Sequence, residues 1–413
     1  MSEKVLTKNF GKPDSHKLQV YEQDGGYQTL RDVLASWSPE QVRDEVKRSN
    51  LRGRGGAGFP TGMKWGFVPQ GSQKPKYLCV NADESEPGTF KDRYIMERDP
   101  HLLLEGTILS AYAIGANHAY IYIRGEFPFP GKRVEGAIAE AYEHGYLGKN
   151  IAGSGFDLDV SVHYGLGAYI CGEETALLES IEGKKGWPRV KPPFPAAEGL
   201  FGCPTVINNV ETLANVPHIL CHGANWFASL GTLRSGGTKL FAVSGRVNRP
   251  GLYERPMGFL LPRLIEEDAG GVIGGKRVKG VIPGGASCPV LGPDEIDVKM
   301  DYDSLAKAGS MLGSGGVIVF DEDTSMVKAL WNLEKFFAHE SCGQCTPCRE
   351  GTRWIVQVLS RILRGVGNPS DPDLLIDIAD HMAGRTICLL GEAAAGPVKS
   401  FVTKFRSEFQ PFS

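Results

Sequence analysis

Three cysteines near the carboxyl-terminal end of the chain recur at three-residue intervals, as Cys342, Cys345 and Cys348. Cys388 follows forty residues later and is the only other cysteine in the last hundred residues. A C-x2-C-x2-C run with one remote cysteine is typical of thiolate ligands for an iron–sulfur cluster. Two-cluster ferredoxins continue this run with C-x3-C-P, but here Cys348 is followed by Arg349. The spacing therefore predicts one 4Fe-4S cluster held by these four cysteines.

Structural zinc and a disulfide framework are the alternatives for these cysteines. Structural zinc usually takes two separated C-x2-C pairs, which this spacing fits poorly. Nine cysteines are an odd number in a long chain without a secretion signal, so a disulfide framework fits less well still. The remaining cysteines are scattered singly, and we expect buried, reduced thiols at Cys79, Cys171, Cys203, Cys221 and Cys288.

A glycine-rich loop at residues 51–62 contains the pattern G-x-G-x-x-G at Gly53, Gly55 and Gly58. The dinucleotide fingerprint requires that pattern between a strand and a helix, whereas this loop follows a polar helix and continues into Phe59 and Pro60. We therefore reject a standard Rossmann fingerprint at this position. Closely spaced glycines still allow the backbone to approach a flat or phosphorylated ligand.

Charged and aromatic residues around this loop favour ligand binding over a merely flexible surface loop. Arg54 and Lys64 would supply positive charge to an anionic ligand. Phe59, Trp65 and Phe67 are large apolar residues that a flexible exposed loop would have no use for.

A second glycine loop precedes a helix that starts with two carboxylates. Gly165, Gly167 and Gly172 are followed directly by Glu173 and Glu174. Carboxylates in a first turn suit the helix dipole, so simple stabilisation of the helix is one interpretation. A helix start also binds phosphate, and the two acidic side chains could accept ribose hydroxyls and repel an additional phosphate.

An acidic run follows the first predicted strand and has the same ambiguity. Asp83, Glu84 and Glu86 come shortly after residues 77–81. A charge run is most often solvated surface, and the sequence alone leaves surface and ligand contact both open.

Strand and helix patterns alternate through the first half of the chain. We expect strands at residues 77–81, 118–124 and 157–163, and helices at residues 39–49, 100–114 and 133–144. This alternation predicts an α/β fold with a parallel sheet.

The second half of the chain changes character twice. Residues 239–320 predict a small β-rich unit with one helix near residues 260–269. Helices are then expected at residues 325–339, 351–363, 373–382 and 393–405. This order predicts a helical bundle with the cysteine run between its first two helices and Cys388 between its last two.

The overall composition excludes several functional classes. The net charge of -3 offers no support for nucleic-acid binding. The longest apolar stretch, residues 102–123, is interrupted by Glu105, Asn117 and His118, so we expect no direct membrane insertion. The first residues lack the apolar segment of a signal peptide, which favours a cytoplasmic location.

Five long motifs, at residues 51–62, 81–90, 167–176, 207–212 and 341–351, closely resemble those of the NADH-binding flavoprotein subunits of respiratory complex I. The resemblance covers nearly the whole chain. Flavin subunits of NAD-linked hydrogenases and formate dehydrogenases share these motifs but often carry additional fused domains, so the complex I family is favoured.

This resemblance implies an α/β fold class with three domains. Residues 1–230 would form a Rossmann-like FMN domain, residues 238–322 a ubiquitin-like (β-grasp) domain, and residues 324–413 a four-helix bundle carrying the 4Fe-4S site. The implied partners are a thioredoxin-like 2Fe-2S subunit and a large iron–sulfur subunit, in the peripheral arm of a membrane-bound complex.

The resemblance also implies which residues bind each cofactor. The flavin (FMN) would be held by Gly53, Arg54, Gly55, Gly56, Lys64, Asn81, Asp83, Glu84, Tyr169, Gly172, Glu173, Asn208, Asn209 and Thr212. NADH would contact Phe59, Phe67, Lys64, Glu86, Glu174 and Phe194.

The function hypothesis is hydride transfer from NADH to FMN, followed by transfer of single electrons to the cluster and to partner subunits. No acid–base residue is required, and none is assigned. The alternatives are a diaphorase subunit of a soluble NAD-linked hydrogenase or formate dehydrogenase, a non-enzymatic electron carrier, and a flavin reductase with another electron donor.

Overall fold

A four-stranded parallel sheet organises the first half of the chain in the computed structural model, which describes residues 4–410. Its strands are β1 (Tyr77–Ala82), β2 (His118–Ile123), β3 (Asp159–Tyr164) and β4 (Thr205–Asn209). They lie in the order β3-β2-β1-β4, and all three neighbouring pairs are parallel. The predicted parallel sheet is confirmed, and its order is the one found in half of a doubly wound dinucleotide-binding fold.

Short helices surround this sheet. They are α1 (Leu18–Gln23), α2 (Gln28–Ser36), α3 (Pro39–Arg48), α4 (Thr61–Gly66), α5 (Asp92–Arg98), α6 (Pro100–Ile114), α7 (Pro128–Glu143), α8 (Glu174–Ile181), α9 (Val210–Ala214), α10 (Val216–His222) and α11 (Ala224–Ser229). The capping box of α3 is present, since Ser38 and Gln41 bond to each other's backbone amides. Helix α7 begins at Pro128, so the predicted start at residue 133 was wrong. Proline is favoured in a first turn because its missing N–H would be unpaired there anyway.

Helix α6 is the central helix of this half, and all of its residues except Tyr112 are buried. Gly106 lets it pack closely, because a Cβ at that position would lie 2.1 Å from the Leu213 carbonyl oxygen of α9. Helix α9 directly follows β4, so this close contact fixes the end of β4 against the rest of the sheet.

A mixed sheet forms the middle of the chain. Its elements are β5 (Thr238–Gly245), β6 (Gly251–Pro256), α12 (Leu261–Arg263), β7 (Val278–Ile282), α13 (Tyr302–Lys307) and β8 (Gly316–Asp321). The strand order is β6-β5-β8-β7, with a parallel central pair and antiparallel outer pairs. The single helix predicted near residues 260–269 is instead α12 followed by a π-helical turn at Leu264–Asp268.

Helices make up the remainder of the described chain. They are α14 (Met326–Glu340), α15 (Thr346–Leu363), α16 (Asp371–Met382), α17 (Leu390–Lys404) and α18 (Arg406–Phe409). Each of the four long helices packs against the next, and α17 returns to pack against α14. The prediction that α15 begins at residue 351 was wrong. It begins directly after Cys345, because Thr346 and Pro347 suit a first turn, and Cys348 therefore lies inside the helix.

Three main apolar cores correspond to these three regions, and a smaller fourth core joins the first region to the last. The fourth core includes Ile170 and Leu177 from the first region and Cys348 and Leu390 from the last. Among residues 4–410, none of the helices combines the length and apolarity needed to cross a membrane.

Candidate cofactor and iron–sulfur site

The predicted flavin residues converge where the chain leaves the carboxyl ends of β1 and β4. Strand order reverses between these two strands, since β1 leads towards β2 on one side and β4 lies on the other. Ligands of open parallel sheets bind in the crevice at such a switch point. Asn81 ends near this edge and donates its amide to the Gly172 carbonyl at 2.8 Å, which brings the second glycine loop to it.

The first glycine loop lies over the end of β4. An added Cβ at Gly55 would lie 3.1 Å from the Asn209 Cβ, and the Arg54 backbone N–H donates to Thr212 Oγ1 at 2.8 Å. Gly53 is fixed through its carbonyl, which accepts a 2.5 Å hydrogen bond from Tyr302 Oη. The loop that lacks a Rossmann fingerprint therefore still reaches the switch point, from a helix that precedes β1.

Backbone amides in this loop are available to a ligand. The N–H groups of Gly55, Gly56 and Ala57 donate to no partner within residues 4–410. Consecutive free amides form a concave site that suits a phosphate group. The Arg54 guanidinium is directed elsewhere, since it donates to the carbonyls of Gly236 and Thr238 and is fully buried.

Asp83 is the clearest indication that a polar ligand belongs here. Its Oδ1 accepts from Ser85 Oγ at 2.6 Å, while its Oδ2 is buried and has no partner among the described residues. Burial raises the pKa of Asp83 to about 7, although the Ser85 hydroxyl lowers it. A buried polar atom without a partner is costly, so a flavin hydrogen-bonding group at this position fits the residues present.

Asn208 has one amide group still available. Its Oδ1 accepts from Trp65 Nε1 at 2.8 Å, and Trp65 is completely buried. Sequence reasoning noted Trp65 as an aromatic residue of the loop but assigned it no role. Its position in helix α4, directly after Lys64, was the only signal for this contact.

Glu84 has a structural task that the sequence did not reveal. Its carboxylate accepts backbone N–H groups from Lys91, Asp92 and Arg93 at 2.6–3.1 Å, at the start of α5. In a standard Rossmann turn a ligand phosphate takes these positions. Here the protein's own carboxylate takes them, and the Glu84 side chain is buried.

Two carboxylates and two ammonium groups form a compact cluster at the start of α8. Glu173 caps the helix by accepting from the Thr175 and Ala176 backbone N–H groups. Lys64 Nζ donates to Glu174 at 2.9 Å, and Lys191 Nζ donates to Glu173 at 3.0 Å and to Glu174 at 2.8 Å. Burial would raise the pKa of Glu174, but the two ammonium groups lower it to about 2. Lys191 was missed because it lies in a proline-rich segment that looked like a simple connector.

Exposed aromatic rings surround this cluster. Phe59 and Phe67 are 45% and 56% exposed, and their ring centroids lie 6.0 Å apart. Phe194 is 59% exposed and lies three residues after Lys191. Exposed rings beside a charged cluster offer stacking surfaces for a nucleotide base.

Glu86 joins three regions of the protein. Its carboxylate accepts from Tyr169 Oη at 2.7 Å and from the Ser287 backbone N–H at 2.7 Å. The Tyr169 backbone N–H in turn donates to Glu340 at the end of α14. Burial raises the pKa of Glu86 above its ordinary value, although the Ser287 and Tyr169 hydrogen bonds lower it.

The four predicted cluster ligands lie together beside the fourth core. Cys348 belongs to that core, and Cys342, Cys345 and Cys388 pack against it. Cys345 Sγ accepts the Ile387 backbone N–H at 3.3 Å, and Ser341 Oγ lies 3.1 Å from Cys348 Sγ. Burial and the neighbouring thiols raise the pKa of Cys388 to about 12. Four facing thiols with hydrogen-bond donors to sulfur fit an iron–sulfur cluster, whose iron would favour the thiolate forms.

The turn at Tyr169–Gly172 connects the two sites. Its last residue accepts from Asn81 at the end of β1, whereas Ile170 and Cys171 pack in the fourth core with Cys348. A single short turn therefore contacts both the flavin-site residues and the cluster cysteines.

The single cysteines are only partly as predicted. Cys79, Cys171 and Cys288 are buried, but Cys203 is partly exposed and Cys221 is exposed. Cys221 lies at the end of the short helix α10, where the sequence gives little indication of which face is buried.

Three family matches follow this division of the chain. Residues 46–218 match the Nuo51 FMN-binding domain, residues 239–319 the SLBB domain, and residues 328–411 the NADH-ubiquinone oxidoreductase-F iron-sulfur binding region. The chain thus has an α/β FMN-binding domain, an SLBB domain and a 4Fe-4S region. The matches also decide between the alternatives for the cysteines in favour of the iron–sulfur cluster.

Similar proteins agree over the full length. The chain is 58% identical over 409 residues to an F subunit of NADH-quinone oxidoreductase, the one numbered 2, from Rhizobium meliloti (strain 1021), covering 99% of this chain and 97% of the relative. It is 53% identical to the F subunit of Rickettsia felis (strain ATCC VR-1525 / URRWXCal2), covering 99% and 96%. A solved NAD+-reducing [NiFe]-hydrogenase chain superposes with a TM-score of 0.85 at 36% identity, covering 100% of this chain and 68% of that one. The chain belongs to the family of NADH-quinone oxidoreductase F subunits.

Proposed function

We propose that this chain is the NADH-oxidising flavoprotein subunit of an NADH-quinone oxidoreductase. The observation that carries the proposal is the single turn at Tyr169–Gly172, which contacts both the predicted flavin residues and the cluster cysteines. When bound, FMN takes a hydride from NADH and passes its two electrons on singly, which is chemistry that side chains do not supply. The chain's own residues bind, orient and shield the reactants.

The flavin site is proposed to comprise the residues that the resemblance implied. The free amides of residues 55–57 would hold a phosphate, and the unpartnered Asp83 Oδ2 would meet a polar group of the flavin. Asn208 has a free amide for the same purpose, since Trp65 already occupies its oxygen. Asn81, Asn209 and Thr212 support the site indirectly, because their side chains bond to other parts of the protein.

The NADH site is proposed to lie beside the charged cluster of Lys64, Glu174 and Lys191. Phe59, Phe67 and Phe194 would provide stacking surfaces. Glu86 would contribute at the inner edge, where Tyr169 and Ser287 hold its carboxylate in place.

The finer architecture is proposed to be a Rossmann-like domain at residues 1–230, a ubiquitin-like β-grasp domain at residues 238–322 and a four-helix bundle at residues 324–413. The β6-β5-β8-β7 order with a parallel central pair supports the β-grasp assignment, and the closed ring of contacts among α14, α15, α16 and α17 supports the bundle. Residues 1 and 413, the outer limits of this division, lie outside the described residues.

The proposed partners are a thioredoxin-like 2Fe-2S subunit and a large iron–sulfur subunit, in the cytoplasmic peripheral arm of the complex. The relatives that match over their full length are named as subunits of NADH-quinone oxidoreductase, which supports this assembly. The diaphorase part of an NAD+-reducing hydrogenase is the second candidate, supported by the similar hydrogenase structure. Mass spectrometry of proteins that copurify with the tagged chain distinguishes the two.

Purified protein tests the catalytic proposal directly. We expect acid-released FMN, four irons and four sulfides per chain in the purified complex. Under anaerobic conditions NADH should bleach the flavin absorbance, whereas reduced ferredoxin should not. Protein that contains iron and sulfide but binds no flavin would instead be an electron carrier.

Glu174 is expected to contribute to the preference for NADH over NADPH. The two neighbouring ammonium groups keep its carboxylate charged, so Glu174→Gln leaves a net positive charge that favours a 2'-phosphate. The ratio of kcat/KM for NADPH to kcat/KM for NADH should rise about tenfold, which corresponds to about 1.4 kcal/mol. Because the pKa of Glu174 is about 2, the wild-type preference should not change between pH 6 and pH 8. An unchanged ratio in the variant would show that Glu174 has no such role.

A further inference from the structure

The segment Trp187–Gly202 carries two residues of the proposed NADH site, Lys191 and Phe194, but apolar packing does not hold it down. A cavity of about 430 Å³ lies against the segment, lined among others by Thr175, Pro193 and Phe201. With open space at this side, the position of the segment depends on its polar anchors.

Arg189 is the anchor at the start of the segment. Its guanidinium donates to Glu179 at 2.5 Å and to Glu182 at 2.8 Å, both on or directly after α8. Its backbone N–H donates to Thr175 Oγ1 at 2.8 Å. Two carboxylates on one guanidinium form a directional, charge-assisted contact that a flexible ammonium group would not reproduce.

Arg189 also holds the other end of the same segment. Its third guanidinium nitrogen donates to the Gly199 carbonyl at 2.9 Å. Glu182, already bound to Arg189, accepts the Phe201 backbone N–H at 2.8 Å. The side chain therefore ties both ends of the loop to α8, the helix whose first residues carry the Glu173 and Glu174 carboxylates.

We propose that Arg189 is a positioning residue for the dinucleotide, which sets Lys191 and Phe194 by closing the base of the loop that carries them. This inference rests on the proposed NADH site. Arg189 itself would touch neither NADH nor the flavin. Its removal should release the loop, so that NADH binding has to order Lys191 and Phe194 each time.

The expected result for Arg189→Met is a KM for NADH raised about tenfold, with kcat changed less than twofold. Ordering two side chains on binding costs enough to account for a change of this size. The inhibition constant for NAD+ as a competitive product inhibitor should rise by a similar factor. Flavin affinity, measured by fluorescence titration of FMN into the apoprotein, should stay at the wild-type value, because the Arg189 guanidinium bonds to none of the proposed flavin residues.

Arg189→Lys and Lys184→Met complete the experiment. Arg189→Lys keeps the charge but cannot reach both carboxylates and the Gly199 carbonyl, so an intermediate KM is expected. Lys184 pairs with the same Glu182 but is 60% exposed and contacts neither end of the loop, so Lys184→Met should keep the wild-type KM.

Two outcomes would overturn the inference. A wild-type KM and NAD+ inhibition constant in Arg189→Met would show that the loop does not need this anchor. Equal losses of flavin affinity and NADH affinity would show a general structural role. If the wild-type protein bound FMN but showed no competitive inhibition by NAD+, the proposed NADH site would itself fail, and the inference with it.

Discussion

Replacing Cys345 with serine is expected to stop electron transfer from this chain to its partner subunits while NADH still bleaches the bound flavin. Cys345 caps α15 at the edge of the cysteine group, where its sulfur accepts the Ile387 N–H. The flavin-site residues are held by separate contacts, such as Asn81 to Gly172 and Arg54 to Thr212. Loss of one cluster ligand should therefore act on the exit of the electron path and leave its entrance intact.

The decisive measurements for Cys345→Ser are made on the purified complex. Quinone reduction should fall by at least about a hundredfold, since removing even a supporting group outside a metal's ligands costs roughly 10–100-fold. Iron and sulfide content and the low-temperature EPR signal of the cluster should fall with it. Anaerobic bleaching of the flavin by NADH should remain within about twofold of wild type, an expected range for a site whose own contacts are unchanged.

Cys221→Ser is the matched control for this experiment, because Cys221 is an exposed thiol at the end of α10, outside both sites. It should leave the cluster content and quinone reduction unchanged. Loss of NADH-dependent flavin bleaching in a folded Cys345→Ser protein would contradict the separation of the two sites.

The cysteine site was predictable because its signal is local. Three ligands fall within seven residues, and spacing alone indicates the cluster. The helix limits around them were less predictable. Cys348 lies within α15 because the chain turns into the helix at Thr346, and the glycine at position 351 is tolerated where it packs closely against Met382.

The flavin site was predictable in composition but not in arrangement. The strand order β3-β2-β1-β4 depends on pairings between residues far apart in sequence, such as Tyr77 with Thr205, which no local pattern reveals. The same holds for Lys191, which reaches Glu174 only after the chain folds back from a proline-rich segment. Glu84 shows the converse, because a residue that suggests ligand contact from sequence serves to cap α5.

The three regions also meet at buried charges, which sequence reasoning gave no reason to expect. Glu211 follows β4 in the flavin-binding region, and Lys239 begins β5 in the middle region; both side chains are completely buried. Lys239 Nζ donates to Glu211 at 2.7 Å, and Lys91 Nζ lies 2.9 Å from the same carboxylate. Lys91 in turn donates to the side chain of Asn209, a predicted flavin residue, at 3.1 Å. The middle region therefore connects to the flavin site through two ion pairs.

Replacing Lys239 with methionine is expected to lower the free energy of unfolding by about 3 kcal/mol, because it leaves a buried carboxylate with one of its two ammonium partners missing. Burial alone would raise the pKa of Glu211, but Lys239 and Lys91 hold it well below its ordinary value. The stabilisation from this carboxylate is therefore present at neutral pH and is lost as the pH falls below the ordinary glutamate pKa. The difference between Lys239→Met and wild type should accordingly be largest near pH 7 and decrease towards pH 3.

Urea unfolding of the purified chain, followed by tryptophan fluorescence, measures this difference. Lys149→Met is the matched control, since Lys149 pairs with Asp157 at 2.9 Å on the surface with 79% of its side chain exposed, and should change stability by less than about 0.5 kcal/mol. The double variant Lys239→Met with Glu211→Gln removes both charges, so it should be more stable than the sum of the single changes by about 1–3 kcal/mol. Purely additive changes would mean that the two charges do not stabilise each other. A non-additive result would show that the contact between the middle region and the flavin site is held together by this buried pair, since Lys239 contributes from β5 and Glu211 from the end of β4.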